Sequence, residues 1–89
     1  MKWYLQAVAN DTIKMNVKGN AWSQNHYIVA TAGEQFKVVY GDGKQQTYIG
    51  TGVNQLIQYN YPTFIVNDMT CTIIALSENC KVVRKVLKE

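Results

Sequence analysis

The chain has 89 residues, 47% of them apolar and 17% charged, with a formal net charge of +3. That length supports one domain, residues 1–89, with a modest core, and the apolar content excludes an intrinsically disordered chain. Eight of the nine basic residues are Lys and they are spread along the sequence. A dense Lys/Arg stripe of the kind a dedicated nucleic-acid domain carries is therefore missing, and the charge permits an acidic partner without requiring one.

The polar surface is built from amides and hydroxyls: fifteen Asn plus Gln, six Tyr and seven Thr. Tyr and Thr favour strands, so the composition points to a mainly β fold. Near the N-terminus, Ala7-Val8-Ala9 imitates a cleavage site, but the apolar run before it is short and contains Gln6, which argues against a signal peptide. No run has the length of a membrane-spanning helix. The expected location is the cytoplasm, where the Asn10-Asp11-Thr12 sequon has no meaning.

In chain order, Lys2 to Ala9 reads as a strand, and Ile13 to Lys18 as a second joined to it through Asn10-Asp11-Thr12. A three-residue loop there places Trp3, Leu5, Ala7, Ile13, Met15 and Val17 on one face. The opposite face holds Tyr4, Gln6, Val8, Lys14, Asn16 and Lys18. Gly19-Asn20 ends the unit, and Trp22 is either core or an exposed anchor. Asn25 to Thr31 reads as a third strand.

Glu34 to Gly50 is the clearest signal, a hairpin around Gly41-Asp42-Gly43. A two-residue Asp42-Gly43 turn pairs Phe36 with Ile49 and Lys37 with Tyr48. Phe36, Val38, Tyr40, Thr47 and Ile49 then face the core, and Lys37, Val39, Lys44, Gln46 and Tyr48 face outward. A three-residue loop shifts every partner by one. Beyond it, Val53, Leu56, Ile57 and Asn60 have helical spacing after Thr51, so a short helix near 53–59, ended by Tyr61-Pro62, competes with extended structure. Thr63 to Asn67 and Thr70 to Leu76 read as further strands, the latter with Cys71, Ile73 and Ala75 on one face. Residues 78–88 fit a strand paired with Thr70–Leu76, with a helix as the alternative, since Lys81, Arg84, Lys85 and Lys88 line one helical side. The expected fold is a small antiparallel barrel or sandwich of six to seven strands.

Catalytic signals are weak. Cys71 and Cys80 are expected to be free thiols, too far apart along the chain to bond. A cysteine nucleophile needs a base, and His26 is the one histidine. Two Cys, one His and scattered carboxylates show no metal-ligand spacing, so neither metal nor cofactor is expected. Asp11, Asp42 and Asp68 fall in turns, where Asp is common for local reasons. Gly50-Thr51-Gly52 lacks the remaining features of a phosphate loop.

The sequence thus points to a non-enzymatic protein-binding module: an inhibitor, adaptor or accessory subunit, in a format that suits a phage or mobile element. Its partner is another protein or a second copy of the chain. The expected contact residues are Trp22, Lys37, Lys44, Gln46 and Tyr48. The alternative is a single-stranded nucleic-acid-binding barrel using Lys14, Lys18, Lys37, Lys44 and Tyr48, with Arg84 and Lys85.

Overall fold

The computed structural model describes the backbone of residues 2–9 and 12–88 and the side chains of 12–85. The strands are β1 (Lys2–Ala9), β2 (Thr12–Val17), β3 (Ala21–Ala30), β4 (Gln35–Val39), β5 (Gln45–Ile49), β6 (Gln55–Ile65), β7 (Met69–Ala75) and β8 (Val82–Lys88). They form two four-stranded sheets, ordered β1-β8-β3-β6 and β2-β7-β4-β5, in which all neighbours run antiparallel.

The expected antiparallel sandwich is what the chain forms. The barrel alternative is not, because neither sheet closes, and the strands among the described residues number eight rather than six or seven. Period-two patterning explains the core. Ile13 and Met15 on β2, Ile28 and Ala30 on β3, Phe36 and Val38 on β4, and Cys71 and Ile73 on β7 all turn inward. Ile57, Tyr40, Cys80 and Val82 complete the buried cluster. Ile73 sits at its centre, paired with Ile13 on one side and Val38 on the other. The expected faces of Ile13–Val17 and Cys71–Ala75 are therefore the ones observed.

The pairing of strands departs from expectation in a consistent way. Only β4 and β5 are neighbours both in sequence and in a sheet. β1 pairs with β8 rather than β2, and β8 lies between β1 and β3 rather than beside β7. In each of the remaining consecutive pairs, β1/β2, β2/β3, β3/β4, β5/β6, β6/β7 and β7/β8, the chain crosses from one sheet to the other. A sandwich gains this way: each crossing lets consecutive strands bury their apolar rows against opposite layers. The expected connection at residues 10–11, and the expected side-chain faces of β1, lie outside the described residues.

The hairpin register is shifted by one from the two-residue reading. Phe36 pairs with Tyr48 and Lys37 with Thr47. The Tyr40 N–H donates to the Lys44 carbonyl at 3.0 Å, closing a three-residue loop. Gly41 and Gly43 adopt φ of 107° and 97°, so glycines take the positive-φ positions and Asp42 does not. Asp42 instead accepts the Lys44 N–H through Oδ1 at 3.0 Å. The shift turns Tyr48 inward onto Phe36 and Ile49 outward, where it is 58% exposed.

Residues 53–59 contain no helix; β6 begins at Gln55. The decisive pattern is Ile57, Tyr59 and Tyr61 inward against Leu56, Gln58 and Asn60 outward. Nor does Pro62 end the segment. Ser23 pairs with Asn60 and Ala21 with Ile65, so residues 61–64 of β6 lie opposite Trp22 alone. Proline, lacking an N–H, is accommodated in that bulge of an edge strand.

Gly50 follows β5 where two backbones meet. A Cβ there would lie 2.3 Å from the Thr31 carbonyl oxygen. Gly33, by contrast, has positive φ, 81°, and open space around it. Gly50→Ala should therefore destabilise the protein by about 3 kcal/mol or more, and Gly33→Ala by about 1–2 kcal/mol. Urea melts of the two variants check this ordering; equal losses would show that the close approach at Gly50 is relaxed in solution.

Candidate functional site

One end of the sandwich interior is polar. Gln24 and His26 follow each other on the inward row of β3, both buried. The Gln24 amide nitrogen donates to the Tyr40 carbonyl at 3.1 Å and to the Tyr61 hydroxyl at 2.9 Å. Its Oε1 must therefore be the acceptor for His26 Nε2, 2.7 Å away. This fixes the imidazole as the tautomer protonated on Nε2. His26 Nδ1 and Arg84 Nε are buried without hydrogen-bond partners, as is Gln55 Oε1.

Arg84 lies opposite Ile28 on the same inward face, diagonal to His26. Burial, with the Arg84 charge adding to it, lowers the His26 pKa to about 4. Burial pushes the Cys71 thiol up to about 12, with Arg84 pulling weakly the other way, and also raises Cys80. Both thiols are free and buried. Neither has the lowered pKa of a nucleophile, and among the described residues His26 hydrogen-bonds an amide rather than a thiol or carboxylate.

Tyrosines fill the space beside this cluster. Tyr40 of the β4 end stacks on Tyr59 of β6, with centroids 3.9 Å apart and planes 5° from parallel. Tyr59 meets Tyr61 edge-on. The Tyr40 and Tyr48 hydroxyls are 2.5 Å apart. The Tyr59 hydroxyl donates to Asp42 Oδ2 at 2.6 Å; burial and this carboxylate push its pKa up to about 12. Asp42 thus anchors both its own turn and a tyrosine of the other sheet.

The five expected contact residues do not form one surface. Lys37 is on the outer face of sheet β2-β7-β4-β5, while Tyr48 is turned to the inner side. Gln46, opposite Val38, shares the Tyr48 side at the exposed sheet edge, and Lys44 sits at the hairpin end. Trp22 belongs to β3 of the other sheet, where its side chain is exposed. The basic residues are also dispersed. Lys14 and Lys37 lie in adjacent cross-strand rows among Thr12, Thr47 and Thr72, a face with no aromatic side chain. Lys18 pairs with Asp68 at 3.6 Å, Arg84 faces inward, and Lys85 is beside Tyr27 on the other sheet.

What the fold leaves exposed is different. Trp22 is 64% exposed and Phe64 41%, and they pack edge to face with centroids 5.2 Å apart at the bulge of β6. Val66, just past the strand, is exposed as well, and so is Leu56 further back along it. No charged residue occurs between Lys44 and Asp68. That charge-free run was the signal in the sequence that could have marked this edge.

An open depression of about 200 Å³ lies elsewhere, lined by Gly33, Glu34, Gln35, Leu76 and Ser77. There the Ser77 hydroxyl donates to Glu34 Oε1 at 2.7 Å. Among the described residues no three His, Cys, Asp or Glu side chains gather to hold a metal, and no helix is long and apolar enough to cross a membrane. Comparison with family models, curated proteins and solved structures yields no match.

The buried histidine gives a pH test. A base whose folded pKa is lowered binds fewer protons in the folded state, so stability falls as pH drops from about 6.5 to about 4. The loss attributable to His26 is up to about 3 kcal/mol. His26→Gln keeps a donor toward Gln24 and removes the titration. Denaturant melts between pH 7 and pH 4 should be less pH-dependent in the variant; identical pH profiles would rule out a buried neutral His26.

Proposed function

We propose that the chain is a small non-enzymatic protein-binding module, an inhibitor, adaptor or accessory subunit that docks through the bulged end and edge of β6. The observation that carries this is the exposed Trp22–Phe64 pair. Large aromatics are the side chains that most often dominate binding energy, and the fold does not need these two for its core. Exposed apolar groups at Val66 and Leu56 extend the surface without introducing charge.

This reading is favoured over a single-strand nucleic-acid platform. Such a platform needs exposed aromatics for stacking alongside lysines for phosphates. Here Tyr40, Tyr48 and Tyr59 are engaged with one another or with Asp42, and the face carrying Lys14 and Lys37 has no aromatic. It is also favoured over catalysis, since burial raises the pKa of both thiols.

The test is affinity capture from the native host with the full chain as bait, followed by titration of the captured protein. Trp22→Ala with Phe64→Ala should weaken binding by about 2 kcal/mol or more, ~30-fold, while circular dichroism stays native. Undiminished affinity in the folded double variant would place the interface elsewhere. Binding of single-stranded oligonucleotides that falls steeply with salt would favour the alternative.

A further inference from the structure

We infer that β6 pairs edge to edge with β6 of a second copy, antiparallel about a two-fold axis at Ile57, joining the two β1-β8-β3-β6 sheets into one. The inference rests on the reading of this edge as a protein-binding surface and names its partner.

Four strands lie at sheet edges: β1, β6, β2 and β5. Exposed edges carry unpaired main-chain groups, and proteins usually blunt them with lysines, short strands or bulges. β1 contains Lys2 and β2 contains Lys14, while β5 is five residues long and follows Lys44. β6 is eleven residues long, with no charged residue in it or in the stretch of sequence from 45 to 67 that contains it. Its bulge and Pro62 protect only the half after Asn60. Residues 55–60 pair regularly with β3, so their other side is a straight, open template.

Geometry then restricts the register. Inward residues of one copy must meet inward residues of the other, or buried side chains would be driven into solvent. For a two-fold pair of β6 strands this requires paired residue numbers with an even sum. A sum of 114 keeps the pairing within 54–60, clear of the bulge. It sets Ile57 against Ile57, Leu56 against Gln58 and Gln55 against Tyr59 of the second copy. Asn54 meets Asn60, so the outward row Asn54, Leu56, Gln58, Asn60 meets itself reversed, with amides across the axis at both ends. Each copy carries a net charge of +3, and approach through a neutral edge keeps like charges apart. Closed two-fold pairing is also the commonest form of self-association.

Sedimentation equilibrium over a wide concentration range tests the proposal, with the full chain and two variants at exposed positions. Wild type should show a monomer–dimer equilibrium. Leu56→Lys with Gln58→Lys sets like charges opposite each other twice and should raise the dissociation constant at least ~10-fold. Leu56→Lys with Gln58→Glu sets Lys opposite Glu only in the register centred on Ile57, and should restore the dimer. In the registers centred on Leu56 or Gln58 the same variant sets Lys against Lys or Glu against Glu. Dimerisation undisturbed by the double lysine, or not restored by the charge pair, overturns the pairing. A wild type that stays monomeric overturns self-association while leaving intact the Trp22- and Phe64-dependent binding of a different protein, so the two readings fail separately.

Discussion

The sandwich depends on how its two sheets are tied where the apolar core gives out. Ile28, Phe36, Val38, Ile73 and Val82 close one part of the interior by packing alone. Beside them β3 turns Gln24 and His26 inward, and burying such groups unpartnered costs about 1–3 kcal/mol each. Gln24 resolves this by spanning the layers: its amide reaches the backbone carbonyl of Tyr40 in the opposite sheet and the hydroxyl of Tyr61 in its own. The same side chain fixes the His26 tautomer. A hydrophobic residue here would leave a carbonyl, an imidazole N–H and a phenol to find other partners at once.

That polar tie decides where the tyrosines go. Tyr40, Tyr59 and Tyr61 stack around it, and Tyr48 joins through its hydroxyl contact with Tyr40. Tyrosine is well suited to the position because its ring packs while its hydroxyl reaches a polar group. Asp42 completes the arrangement by accepting from Tyr59 across the layers. A composition rich in Tyr thus serves the interior more than the surface. The aromatic pair left exposed, Trp22 and Phe64, lies outside that network, opposite each other at the bulge.

The sequence made the inward rows of β2 and β7 legible because period-two alternation does not depend on which strand lies alongside. Pairing was not legible. Adjacency in sequence favours β1 with β2 and β7 with β8, and only the packing of two layers reveals that each crosses over. The β4–β5 register turned on a single residue of loop length, which Gly-Asp-Gly leaves open. Tyr48 settles it through Phe36 and Tyr40, contacts that exist only after the strands meet. Residues 53–60 satisfy both a helical and a strand period, and the tyrosines at 59 and 61 decide for the strand. Trp22 was readable as a candidate anchor. Its companion Phe64 was not, because only the bulge after Asn60 brings residues 61–64 opposite Trp22.

The same bulge sets the limits of the β6 edge. A strand that supplies Ile57, Tyr59 and Tyr61 to the interior cannot be shortened, and the inward row leaves no room for a guarding lysine. Protection of the edge could come only from the outward row, and at Leu56, Gln58 and Asn60 that row is apolar or neutral. Pro62 and the four-against-one bulge remove the later half from any ladder, since there the main chain no longer runs parallel to a straight neighbour. The first half keeps regular geometry because its pairing with β3 positions Ile57 beside His26 and Tyr59 beside Gln24. The polar tie between the sheets and the open edge are therefore two consequences of one strand. The demand that holds β6 straight through Asn60 also holds its free side in the conformation that another strand can join.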